Sequence, residues 1–230
     1  MSVLGWVLKI LSVFLFLYLV WRVLKEDYEE MRVVEFSWLC ILFFFLGGRI
    51  FYGFLNWGVW NESIWEWFSF IERSGFSYIG AYLFVLLFVF VFCWRVDWKI
   101  WNVLEDVTLP LLSYLLLFLL SGYLLVVNNQ TFFYLLSLLL TFVLILLLGK
   151  RYRSFYWYKS GKSGFLFFFA NMIEALSVLI LIILGKLSRN LLVLALVFFL
   201  ISLIGLFILG EVMSGLLVFK RRKSDKKEER

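Results

Sequence analysis

Residues Val107–Gly149 read VTLPLLSYLLLFLLSGYLLVVNNQTFFYLLSLLLTFVLILLLG. Two apolar runs, Val107–Val127 and Phe132–Gly149, are separated only by Asn128, Asn129, Gln130 and Thr131. A helix crosses a bilayer with about 17–25 predominantly apolar residues, and both runs reach that length. The four polar residues predict a tight turn between antiparallel helices. The stretch therefore decides for an all-α, polytopic integral membrane protein. Working outward, five more runs are long enough: Val3–Trp21, Phe36–Leu55, Ser77–Trp94, Gly164–Leu184 and Leu191–Gly210. Seven transmembrane helices are expected. The last run is able to continue to Phe219, with Glu211 near its end. The chain opens apolar with no small-residue cleavage site behind it, so the first run reads as a retained span and not a signal peptide.

Composition agrees. Of 230 residues, 64% are hydrophobic, and the mean hydropathy is +0.97. No soluble domain needs that much apolar surface. No repeat, linker or soluble domain interrupts the runs. The expectation is one transmembrane helical domain over residues 1–219 and a basic tail, KRRKSDKKEER, over residues 220–230. There is no histidine, which removes the usual general base, proton shuttle and commonest metal ligand. Catalysis would fall to carboxylates, Arg, Lys, Tyr or Ser. Cys40 and Cys93 stand isolated in apolar runs and read as small core or lipid-facing residues. No metal, cofactor or nucleic-acid partner is expected; the first partner is the lipid bilayer.

Charge predicts the orientation. With the N-terminus outside, the inner segments 22–35, 95–106, 150–163 and 220–230 hold 17 Lys and Arg, and the outer segments hold only Arg73, Lys186 and Arg189. That bias predicts N-outside and C-inside. The tail reads as a solvated stop signal, or as a patch for anionic head groups. The outer segment Asn56–Phe76 holds Trp57, Trp60, Trp65 and Trp67 among Glu62, Glu66 and Glu72. It suits the head-group interface, as an aromatic belt or as a lid over a lipid-accessible site. Asn61-Glu62-Ser63 matches a glycosylation acceptor weakly.

Two remaining charges lie at membrane depth. Arg49 follows Gly47 and Gly48 in FLGGRIFYGFL, Phe45–Leu55. A guanidinium there costs about 2.5–3.5 kcal/mol or more, so it should face the protein interior and meet an anion. The glycines let another backbone or a ligand approach closely. Glu174 lies about 15 Å into its span and Arg49 about 20 Å from the inner side, at 1.5 Å per residue. Their depths are close enough to predict an Arg49–Glu174 ion pair. Asn171 shares a helix face with Glu174 and is placed to extend a polar cluster lined by Tyr78 and Tyr123. Lys9, near the outer end of the first span, reads as a snorkelling side chain.

These residues resemble those of the prolipoprotein diacylglyceryl transferase family. FLGGRIFYGFL is similar to the family's second-span G-G/A-R-hydrophobic-x-Y run. Arg73–Gly80, RSGFSYIG, sits where the family has G-x-S-F-H-G-G. Asn102–Leu111, NVLEDVTLPL, looks like its inner-loop segment of Asp, then Ala-Pro-Leu. Leu120–Tyr123 lies at its G-R-x-G-N. Asn129–Phe132 resembles its S-Q-L-Y-E turn, and Ser163–Phe167 its S-G-L-F. Order and spacing carry the resemblance over nearly the whole chain; each motif alone is weak.

The resemblance implies a multi-pass protein of the bacterial inner (plasma) membrane. It implies transfer of a diacylglyceryl group from phosphatidylglycerol to the lipobox cysteine of a pre-lipoprotein, in lipoprotein biosynthesis. Membrane phospholipid, phosphatidylglycerol in the family, and pre-lipoprotein signal peptides would be the partners. Arg49, Gly47, Gly48, Gly80, Tyr123, Asn129 and Gln130 fall on substrate-binding positions. Tyr78 and Glu174 fall on positions that would carry the chemistry. The sequence departs from the pattern at several of these. The family's histidine is Tyr78, its G-R-x-G-N arginine is Tyr123 and that motif's asparagine is Val126. The glutamate of its turn is Phe133, and its sixth-span arginine is Glu174. Its large outer segment between the fourth and fifth spans is four residues here. Asp106 and Pro110 remain, and also read as a cap and a helix start. Gly47 and Gly48 also read as helix-packing residues, and Asn129 and Gln130 as turn residues. Three functions stay open: a transferase with a diverged site, a catalytically silent relative that binds lipid or lipoprotein, and a small transporter. The lack of internal repeats or broken helices counts against the third.

Overall fold

The computed structural model describes residues 3–55, 76–125, 129–149, 151–154, 162–187 and 191–209. The aromatic segment 56–75, with its glycosylation match and Arg73, lies outside them. So do Val126, Asn128, Arg189, Glu211 and the tail 220–230.

Seven α-helices follow in order: α1 Val3–Leu24, α2 Glu30–Leu55, α3 Tyr78–Arg95, α4 Ile100–Leu125, α5 Asn129–Gly149, α6 Phe165–Ile183 and α7 Leu192–Leu209. A 3-10 turn, Tyr152–Ser154, lies between α5 and α6. No strand occurs among the described residues. All seven helices are long and apolar enough to cross a membrane. The chain is an all-α, multi-pass membrane protein, as the runs of apolar residues predict.

Helix ends depart from span ends. α2 begins at Glu30, not Phe36, and α4 at Ile100, not Val107. Hydropathy marks where the bilayer lies, whereas a helix continues as long as its backbone bonds close. Glu30 sits in the first turn of α2, where a carboxylate complements the dipole. Arg32 and Glu35 pair across the surface at 2.8 Å. The longer α4 corrects the reading of Asp106 and Pro110: both lie inside the helix, so Asp106 is no cap. Thr108 Oγ1 donates to Leu104 O at 2.6 Å and Ser113 Oγ to Leu109 O at 2.9 Å, on either side of the proline. Such hydroxyl back-bonds help a membrane helix accommodate proline. Asn129 and Gln130 are likewise in the first turn of α5 and not in the connecting turn.

Contacts gather in two compact units. One comprises Val13–Val103; the other comprises Met1–Ser12 and Leu104–Arg230. In the first, α2 packs on α3. Phe36, Phe88, Phe92 and Trp98 form a continuous ring cluster with centroids 5.3–5.8 Å apart. Asp97, at φ 56°, turns the chain from α3 into α4. An aspartate tolerates that left-handed geometry better than most residues. In the second unit, α6 packs against both α5 and α7. Gly205 of α7 receives the ring of Phe168: a Cβ there would stand 2.5 Å from Phe168 Cε1. Cys40 and Cys93 are buried free thiols.

Candidate functional site

The α2–α3 contact is built on glycine. A Cβ on Gly47 would lie 2.2 Å from Phe84 Cβ and 2.9 Å from Gly80 O. A Cβ on Gly80 would lie 2.1 Å from Phe51 Cβ and 2.9 Å from Gly47 O. The two glycines face each other, and the backbones touch because neither has a side chain. Gly48 is covered by the Phe76 ring, 2.3 Å from where its Cβ would be, and its carbonyl accepts Ser77 N–H at 3.0 Å. Ser77 is extended and caps α3, its Oγ accepting Gly80 N–H at 3.3 Å. Phe76, Ser77 and Gly80 thus do two local jobs: they start α3 and seat it on α2. Of the candidate residues, Gly47, Gly48 and Gly80 are occupied by packing.

Arg49 follows directly on α2. Its side chain is 1% exposed and is the largest fully buried side chain among the described residues. Tyr52, one turn on, is its electrostatic neighbour. Tyr78 occupies the first turn of α3, half-buried, with its ring edge-on to Phe76 at 5.3 Å. Arg49 and Tyr78 therefore belong to one unit, with the glycine contact between their helices.

The other candidates belong to the second unit. Glu174, the tenth residue of the 19-residue α6, is half-buried. Ser137 Oγ stands 2.6 Å from its Oε1 and Thr141 Oγ1 2.9 Å from its Oε2. Within this unit, no described Lys or Arg pairs with it. Arg49 and Glu174 fall in different units. Asn171 donates its side-chain amide to Phe167 O of its own helix at 2.8 Å. Tyr123 lies against Phe132, ring centroids 5.9 Å apart. Asn129 and Gln130 are exposed. Lys9 sits over the rings of Trp6 and Phe118 at 5.0 and 5.5 Å, so cation–π contact accompanies its depth.

One buried carboxylate is marked by no motif in the sequence. Glu105, next to Asp106, is 6% exposed and accepts hydrogen bonds from Tyr152 OH and from Gly164 N–H. Gly164 is the N-cap of α6, at φ 107°, where a Cβ would be strained. With no side chain of its own to cap the helix, α6 uses the carboxylate of α4. Arg153 Nε donates to Tyr152 OH at 2.9 Å, and its Nη2 lies 3.8 Å from Glu105. Tyr152 stacks on Phe165 at 5.0 Å, with ring planes 2° apart. Burial first, then the bond to Glu105, pushes the Tyr152 hydroxyl up to about 12. The signal available in the sequence was a helix start at Gly164 without a capping side chain. For Ser137 and Thr141 it was two hydroxyls at i, i+4 spacing in an otherwise apolar span.

No family model matches the chain, and no curated protein matches it.

Proposed function

We propose that this chain is a diacylglyceryl-transferase-type protein of the bacterial inner membrane, N-terminus outside, which holds the anionic head group of phosphatidylglycerol at Arg49. The observation that supports it is the placement of Arg49: a fully buried guanidinium on α2, two residues beyond Gly47, which meets Gly80 of α3. In a low-dielectric surround each charge-assisted bond from a guanidinium to a phosphate is strong, and the planar fork suits a phosphodiester. For transfer to a lipobox cysteine, the thiol must lose a proton and the departing glycerol phosphate must be stabilised. Tyr78, in the same unit, would supply proton transfer, and Arg49 the charge stabilisation.

A second reading, binding of lipid or lipoprotein without transfer, is favoured by the engagement of Glu174. Both of its oxygens meet hydroxyls of α5, and the chain has no histidine. Expression in cells depleted of their own transferase, with a lipobox reporter, separates the two. Lipidation that is lost in Arg49→Gln supports transfer. A correctly inserted protein that lipidates nothing overturns transfer. Phosphatidylglycerol retained by that protein in native mass spectrometry, and released in Arg49→Gln, then supports binding. No lipid retention in either form overturns both.

A further inference from the structure

Proton counting around Glu174 leads beyond that reading. Ser137 Oγ has two acceptors in reach, Glu174 Oε1 at 2.6 Å and Tyr134 O at 3.2 Å. Thr141 Oγ1 also has two, Glu174 Oε2 at 2.9 Å and Ser137 O at 3.1 Å. Each hydroxyl owns one proton. Four contacts thus share two protons if Glu174 is a carboxylate. A protonated Glu174 supplies a third. Its O–H donates to Ser137 Oγ, Ser137 turns its proton to Tyr134 O, and Thr141 donates to the other carboxyl oxygen, so that only the Thr141–Ser137 O contact still shares a proton.

Charge points the same way. Glu174 lies halfway along a membrane-spanning helix, where an ionised carboxylate is expensive. Among the described residues, α6 packs mainly on α5 and α7. Tyr134 is the only titratable side chain on α5, and α7 has none. Neither offers a cation.

We propose that Glu174, Ser137 and Thr141 form a proton-binding site at mid-depth of the α5–α6 pair, occupied by a proton at neutral pH. Ser137 and Thr141 are buried, and Glu174 is partly exposed, so a lipid-soluble reagent has the Glu174 side to approach. The inference does not rest on phospholipid binding or on transferase activity.

The test uses the full chain in phosphatidylcholine liposomes with dicyclohexylcarbodiimide. That reagent takes the proton of a neutral carboxyl onto one of its nitrogens while the carboxyl oxygen adds to its carbon. The resulting O-acylisourea rearranges to a stable N-acylurea. Expected is an adduct on Glu174 at pH 7, found by peptide mass spectrometry, whose yield falls at alkaline pH and which is absent in Glu174→Gln. Infrared spectroscopy of the same samples needs no reagent access: a carboxylic-acid C=O band at pH 7 should vanish in Glu174→Gln. Absence of that band in the wild-type protein overturns the proposal. Protection from the adduct by sodium ions, but not by choline, overturns it in favour of a monovalent cation.

Discussion

The carboxylate of Glu105 on α4 accepts the N–H of Gly164, 59 residues later, and so caps α6 from another helix. The same carboxylate takes the hydroxyl of Tyr152. One buried charge thereby ties the start of α4, the 3-10 turn and the start of α6 together.

Removing that acceptor strands two buried donors. Glu105→Ala should destabilise the protein by about 1–3 kcal/mol for each unsatisfied group. Glu105→Gln keeps an acceptor oxygen and should lose less. Thermal unfolding of both variants in detergent, followed by Trp fluorescence, orders them; equal midpoints for Glu105→Ala and wild type would refute the cap.

Alkaline pH should loosen the same tie. The Tyr152 hydroxyl is raised to about 12 by burial and by Glu105. A group raised in the folded state contributes stability that is complete below its unfolded value, about 10, and that disappears as pH climbs through the folded value. Stability should therefore fall between about pH 10 and 12, and Tyr152→Phe should flatten that part of the profile. Unfolding midpoints across the range give the answer; parallel profiles would count against it.

Gly47→Ala and Gly80→Ala should each force α2 and α3 apart, because the new Cβ meets backbone and Cβ atoms at 2.1–2.9 Å. Overpacking of this kind costs about 1–3 kcal/mol. Both push on one contact, so the double variant should lose less than the sum of the singles. A double-variant cycle of unfolding free energies measures the shortfall, and strict additivity would show that the glycines do not share a contact.

Gly205→Ala should be milder and rescuable. The atoms its Cβ meets belong to the Phe168 ring, at 2.5–2.8 Å. Phe168→Leu removes that ring, so the combined variant should be more stable than Gly205→Ala alone. A combined variant at or below the single one would place the strain elsewhere.

The amino-acid sequence by itself determined the class of the protein, the seven spans and which polar residues lie at membrane depth. Those properties follow from local sums: enough consecutive apolar residues make a span, and a charge within one is conspicuous wherever its helix goes. Gly47 and Gly48 were legible as residues of close approach, but not what approaches them. The helices are apolar nearly all round, so no periodic stripe in the sequence declares which face meets which neighbour. Only the tertiary structure decided that Gly47 faces Gly80, that Ser137 and Thr141 face Glu174, and that Glu105 rather than Asp106 caps a helix. Each of those pairings joins residues distant in sequence, and its geometry is set by helix rotation and packing, which composition and spacing do not encode.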